Sequence, residues 1–150
     1  MNYLLDTNIV LIYIRNNETT QKLESKLDLF SGEHNLIISV ASIGELKSIA
    51  RQNQWGKMKW QKMLTVINDF LIADIRNEEI IDKYAEIDAF SQGKILEKPL
   101  GDSARNIGKN DLWIAATASA LQLELITTDD DFNHLKNDFI QLKKIDLKSF

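Results

Sequence analysis

The sequence predicts an α/β fold of three layers, α/β/α, with helices on both faces of a central parallel sheet of four to five strands. Two observations point there. Short apolar runs of strand length alternate with segments of helical periodicity in the order β-α-β-α-β-α-β, the pattern of a parallel sheet joined by right-handed crossovers. The helical segment nearest the C-terminus is built on small residues, Ala115, Ala116, Ser119 and Ala120, which suits close packing on a sheet.

Along the chain, Asn2 to Asp6 is the first strand and ends on a carboxylate, and Ile9, Ile12 and Tyr13 follow at helical spacing. Asn35 to Val40 is the second strand. Ile43, Leu46, Ile49 and Ala50 form the next helical stripe, and Met63, Ile67 and Phe70 another. Phe70 to Asp74 is the third strand, after which Ile80, Tyr84, Ile87 and Phe90 mark a helix through residues 78 to 92. Leu112 opens the small-residue helix, Glu124 to Thr127 is the fourth strand, and Phe139 to Ile145 adds an edge strand. Gln92 to Lys109 breaks the pattern: it holds Gly93, Gly101, Gly108 and the only proline, Pro99, without apolar periodicity. Such punctuation marks a loop, and a loop this long in a compact domain is often functional. With no repeat or domain boundary elsewhere, residues 1–150 are expected to form a single domain.

Composition narrows the function. A chain of 150 residues buries roughly 70% of its unfolded surface without staples. The absence of cysteine removes disulfides, thiolate nucleophiles and cysteine zinc sites, and fits a reducing cytoplasm. The amino terminus lacks the basic region of a signal peptide, and charge interrupts every apolar stretch well before the roughly 20 residues that span a bilayer, so a soluble, cytoplasmic protein with no membrane contact is expected. His34 and His134 stand outside any ligand-spaced cluster, which leaves them surface or local capping roles and argues against histidine acid–base chemistry. The net charge of -4 conceals an uneven distribution. Lys47, Arg51, Lys57, Lys59 and Lys62 occur with Trp55 and Trp60 and no acid among them, and Lys94, Lys98, Arg105 and Lys109 face only Glu97 and Asp102. Either run is a solvated helix face or a surface for a phosphate backbone.

Carboxylates mark the ends of the elements. Asp6 closes the first strand, Glu45 stands in the first turn after the second, Asp129 follows the fourth, and Asp111 opens the helix leading into the fourth. In a parallel sheet the C-terminal strand ends share one edge, where ligands bind. Bringing Asp111 there requires the long loop to carry it across the sheet. Each acid also has a local reading. Asp6 can hold a turn, and Ser42 and Glu45 fit the spacing of a capping box. Asp111, behind Asn110, and the Asp129, Asp130, Asp131 run lie where a helix dipole favours negative charge by about 0.3–1 kcal/mol. Jointly they demand more. Two unit charges about 4 Å apart repel by roughly 4 kcal/mol at an effective dielectric of about 20. A converged cluster therefore needs a hard divalent cation, or else keeps a carboxyl protonated at raised pKa.

Asp6-Thr7-Asn8, Ile43-Gly44-Glu45-Leu46, Asn110-Asp111 followed by Ile114-Ala115-Ala116, and Thr127-Thr128-Asp129-Asp130-Asp131-Phe132 together resemble the PIN domain, most closely the VapC-like toxins of bacterial toxin-antitoxin pairs. The resemblance spans nearly the whole chain with its motifs in order. It implies metal-binding and catalytic roles for Asp6, Glu45, Asp111 and Asp129, with Asp131 auxiliary. Asp129 is preferred because it falls two residues after Thr127, as in the family's Thr-x-Asp spacing; whether Asp130 or Asp131 takes its place at the metal stays open. The implied activity is that of an Mg²⁺- or Mn²⁺-dependent endoribonuclease, a homodimer restrained by a cognate antitoxin and acting on cellular RNA such as tRNA or rRNA. A metal held by Asp6 and Asp111 would activate a water and polarise the scissile phosphate, with Glu45 and Asp129 completing its shell or holding a second ion. Thr7, Asn8, Asn110 and Thr127 can orient the carboxylates or metal waters, or simply cap and turn the chain. Lys47, Arg51, Lys57 and Lys59, beside Trp55 and Trp60, are the leading RNA contacts, although Trp60 and Met63 also fit a core.

Other classes fit less well. A receiver domain expects an acidic pair near the first strand and a lysine after the last core strand, and a haloacid-dehalogenase-type phosphohydrolase expects Asp-x-Asp where this chain has Asp6-Thr7-Asn8. A silent PIN scaffold that only binds RNA or a protein partner would be expected to have lost acids that are all present here.

Overall fold

The apolar runs form five strands, β1 (Asn2–Leu5), β2 (Asn35–Ser39), β3 (Leu71–Ala73), β4 (Glu124–Thr127) and β5 (Gln141–Lys144), in a computed structural model that describes residues 1–95, 99–101, 104–105 and 107–149. All four pairings are parallel, and the strand order is β3-β2-β1-β4-β5. β1 is central, with Tyr3 opposite Leu36 of β2 and Leu4 opposite Leu125 of β4. From β1 the chain winds outward through β2 to β3, then returns to the other side of β1 as β4. That reversal creates a crevice at the C-terminal strand ends, the usual ligand position in a doubly wound sheet.

The helices are α1 (Thr7–Arg15), α2 (Glu18–Leu27), α3 (Val40–Gln52), α4 (Lys57–Asn68), α5 (Glu78–Ser91) and α6 (Lys109–Leu121). Alternation along the pleat divides the core between the two faces. Tyr3, Leu5, Leu36, Ile38 and Ile126 pack with Ile9, Ile12, Leu23, Leu46, Ala50 and Met63 of α1 to α4. Leu4 and Leu125 pack with Ile87, Phe90, Leu112 and Ala115 of α5 and α6. The expected three layers are present.

Three departures from the sequence expectations have local causes. Ile9 to Ile14 are all buried, so α1 is enclosed on every side and its apolar stripe is only part of its buried surface. α2 carries no stripe that periodicity can detect, because only Thr20 and Leu23 are buried. Its start is set instead by Asn17, whose side chain accepts from the Thr19 N–H while Thr20 Oγ1 accepts from the Asn17 N–H. The third departure is at α3, which begins at Val40 because Ser39 Oγ accepts the Ala41 N–H at 3.0 Å. Val40 therefore leaves β2, and the expected capping box of Ser42 and Glu45 does not form. Glu45 lies in the second turn, and Ser42 is buried, accepting a 3.0 Å hydrogen bond from the Thr7 hydroxyl.

A helix that feeds a parallel strand runs antiparallel to it, so the first turn of α6 starts at the C-terminal edge of the sheet. Asp111 stands in that first turn, three residues after the N-cap Gly108. The described parts of Gln92 to Gly108 are turn and irregular backbone; Glu97, Lys98 and Asp102 of the second charged run lie outside the described residues. No helix among the described residues is long and apolar enough to cross a membrane.

Ile9 is fully buried in the larger core cluster, so Ile9→Ala should lower stability by about 2–5 kcal/mol. Ser39→Ala should cost about 1 kcal/mol through loss of the α3 cap. Urea unfolding followed by far-UV circular dichroism measures both, and an unchanged midpoint for Ser39→Ala would place the start of α3 elsewhere.

Candidate functional site

Asp6 follows β1 and caps α1. Its Oδ1 accepts the Thr7 N–H and its Oδ2 accepts the Thr127 hydroxyl, each at 2.7 Å, with the residue only 3% exposed. Thr127 ends β4 and is itself fully buried; its Oγ1 accepts the Asp129 N–H at 3.0 Å, and Asp129 Oδ1 accepts the Asp131 N–H at 2.9 Å. A run of hydrogen bonds thus ties the end of β1 to the turn after β4. Capping does occur here, but it does not compete with clustering: the same donors that satisfy the backbone hold Asp6 and Asp129 at the crevice.

From the facing segments, α3 supplies Glu45 and α6 supplies Asp111. The Asn110 side-chain amide donates to Glu45 Oε2 at 3.1 Å and so links the two helices. The tightest acidic group joins Asp111, Asp129 and Asp131, each offering a carboxylate oxygen within 4.8 Å of the others. Asp131, expected as an auxiliary, belongs to this group. Asp6 lies outside it, although its charge and that of Glu45 act on Asp111. The neighbouring Asp130 turns away: its Oδ1 pairs with Lys144 Nζ at 2.6 Å and accepts from Asn133 Nδ2 at 3.3 Å.

The electrostatics record the crowding. Burial first, and then the charges of Asp6, Asp129, Glu45 and Asp131, push the Asp111 carboxyl up to about 7. Burial also raises Asp6, opposed by its hydrogen bonds from Thr127 and Thr7 and reinforced by the charges of Glu45 and Asp129. Asp130 is lowered by Lys144. Donors of this kind, hard oxygens without sulfur or imidazole, fit Mg²⁺ or Mn²⁺. Two oxygens bound to one Mg²⁺ lie at most about 4.2 Å apart, so the three-carboxylate group needs only small side-chain adjustments to share an ion.

The basic residues are not gathered with the acids. At about 100° per residue, Lys47 and Arg51 lie about 200° and 240° around α3 from Glu45, and among the described residues no lysine or arginine is among the charges acting on Asp6 or Asp111. Arg51 stacks on Trp60, 5.1 Å from the ring centroid, and Lys59 on Trp55 at 4.3 Å; both tryptophans are half-buried against the core. Met63 is core and Lys57 is exposed. Asn8 is exposed in the first turn of α1, whereas Thr7 is buried against Ser42. His134, read from sequence as a surface or capping residue, instead forms a long-range bond to buried Ser91. Residue spacing holds no signal of that contact, since 43 positions separate the two.

A family model described as PIN domain matches residues 3–138. No curated protein matches the chain. Among solved structures, the chain is similar to VapBC-1 from nontypeable Haemophilus influenzae, at 27% identity and TM-score 0.69, over 96% of this chain and 98% of that one. It is similar in fold to VapBC2 from Rickettsia felis, solved bound to a DNA fragment from their promoter, at 23% identity and TM-score 0.72 over 97% and 100%. A third likeness of fold is to VapBC-5 from Mycobacterium tuberculosis, a member of the VapBC family of toxin-antitoxin systems, at 19% identity and TM-score 0.62 over 96% and 98%.

The raised Asp111 carboxyl makes metal-free stability depend on pH. Because the folded state holds this proton more tightly than the unfolded chain does, the favourable contribution is present below the ordinary value of 3.8 and is lost as pH rises through about 7. In chelator, Asp111→Asn should raise the melting temperature, and the gain should be larger at about pH 8 than at about pH 5. A gain independent of pH would contradict the clustering of charge at Asp111.

Proposed function

Because the chain belongs to the PIN domain family, we propose that it is a metal-dependent endoribonuclease, the toxin of a toxin-antitoxin pair, with one PIN domain over residues 1–150. The observation that carries this reading is the convergence of Asp111, Asp129 and Asp131 within 4.8 Å, where Asp6 and Glu45 add their charge to Asp111. The assignment of Asp6, Glu45, Asp111 and Asp129 as catalytic and metal-binding residues follows, with Asp131 beside them. When bound, Mg²⁺ or Mn²⁺ would supply Lewis acidity at the scissile phosphate and activate a water. The chain's own part is to orient the acids. Thr7 and Thr127 hold both oxygens of Asp6, Asn110 holds Glu45, and the Asp131 N–H holds Asp129.

The substrate is RNA, with tRNA or rRNA the favoured classes. Lys47, Arg51, Lys57 and Lys59 are contacts for RNA beyond the scissile bond, reached along α3 and α4. The partner is a cognate antitoxin, supported by the similarity to chains of VapBC complexes, and the toxin acts as a homodimer in the cytoplasm. The silent-scaffold alternative expects missing acids, whereas the chain retains Asp6, Glu45, Asp111 and Asp129.

Purified free of antitoxin, the protein should cleave RNA with Mg²⁺ or Mn²⁺ and stop on addition of EDTA. Asp6→Asn should reduce cleavage to background while far-UV circular dichroism stays native, because the change removes charge at nearly constant volume. Undiminished cleavage by that variant, or by metal-stripped protein, would overturn the mechanism.

A further inference from the structure

Ser91 ends α5, is fully buried, and uses its carbonyl and its hydroxyl on two different segments. Its carbonyl accepts the Arg105 N–H at 2.7 Å, on the stretch that enters α6 and leads to Asp111. Its hydroxyl meets His134 Nε2 at 2.8 Å, on the 3-10 turn Asp130–Leu135 that follows Asp129 and carries Asp131. The His134 ring lies parallel to Phe90, with centroids 6.3 Å apart. One buried residue therefore touches both segments that present the acids of the tightest group.

We propose that Ser91 and His134 form a positioning clamp that sets the separation of Asp111 from Asp129 and Asp131, and thereby the affinity of the acidic site for a divalent cation. The inference rests on the metal-site reading above and deepens it. Carboxylates within 4.8 Å of one another repel, and their segments relax apart unless something outside the cluster holds them. The sheet restrains Asp129 through Thr127, but Asp131 and Asp111 lie farther from the strands. Ser91 supplies the missing restraint from the opposite side, and Phe90 keeps the imidazole plane in the orientation that aims Nε2 at the hydroxyl. Neither residue has to touch the ion. Loss of such outlying partners typically weakens metal binding by about 10- to 100-fold.

The test uses the intact chain without RNA. Mn²⁺ affinity is measured by isothermal titration calorimetry for Ser91→Ala, for His134→Phe, which keeps a ring over Phe90 but no nitrogen, and for the double variant. Each single change should weaken binding at least about tenfold, and the double variant should be no weaker than the worse single one, since both break one clamp. His134→Gln, whose terminal amide can still meet Ser91, should retain most of the affinity. Thr20→Ala, which removes the bond from its hydroxyl to the Ile12 carbonyl, should destabilise the fold without changing Mn²⁺ affinity. In metal-free protein, hydrogen exchange at the Leu112 and Asp131 amides should accelerate together in either single variant while β1 amides stay protected. Unchanged Mn²⁺ affinity in both single variants, additive losses in the double, or exchange that changes only beside the substituted residue would overturn the clamp. If His134→Phe does not fold, Ser91→Ala carries both measurements. A native chain that binds no Mn²⁺ defeats the metal reading, and exchange then decides the clamp by itself.

Discussion

The arrangement depends on one buried, hydrogen-bonded side chain. Asp6 sits between the end of the central strand and the start of a helix buried on all sides, and its two oxygens are held by the Thr7 N–H and the Thr127 hydroxyl. Burying a carboxylate is costly unless it is hydrogen-bonded. Here one bond comes from the helix it caps and the other from the neighbouring strand, so the charge is accommodated only where β1 and β4 end side by side. The same two bonds aim Asp6 at the crevice, so fold and site share a single polar contact.

Around that contact the acids are brought together by topology. β1 and β4 are adjacent and parallel, which places Asp6 and Asp129 at one edge. α3 and α6 run antiparallel to the strands they join, so their N-terminal ends return to that edge with Glu45 in the second turn of α3 and Asp111 in the first turn of α6. The outcome is electrostatically unfavourable without a cation, as the raised Asp111 carboxyl records. Apolar packing on both faces of the sheet, together with the hydrogen bonds of Thr127, Asn110 and Ser91, supports the strain. Stability is given up at the sheet edge to keep charges close, as in sites that trade folding energy for function.

Much of this was legible in the residues themselves. Strand-length runs, helical stripes and acid-ended elements identified the layers and singled out Asp111 and Asp129, which the fold brings within 4.8 Å of Asp131, because periodicity and charge are properties of a few consecutive residues. Local signals also misled. Ser42 and Glu45 have capping-box spacing, yet Ser39 one turn earlier caps α3, since the helix starts where β2 ends. α2 escaped because its buried side is only Thr20 and Leu23.

The sequence by itself determined the order of the strands and of every helix but α2, and the parallel sheet, because each is encoded in local spacing and chemistry. Tertiary structure alone decided which neighbours serve the site. It turned Asp130 to Lys144 and Asp131 toward Asp111 and Asp129, rotated Lys47 and Arg51 away from Glu45, and brought His134 to Ser91. Those outcomes depend on rotation about helix axes and on contacts between distant segments, and no window of consecutive residues contains either.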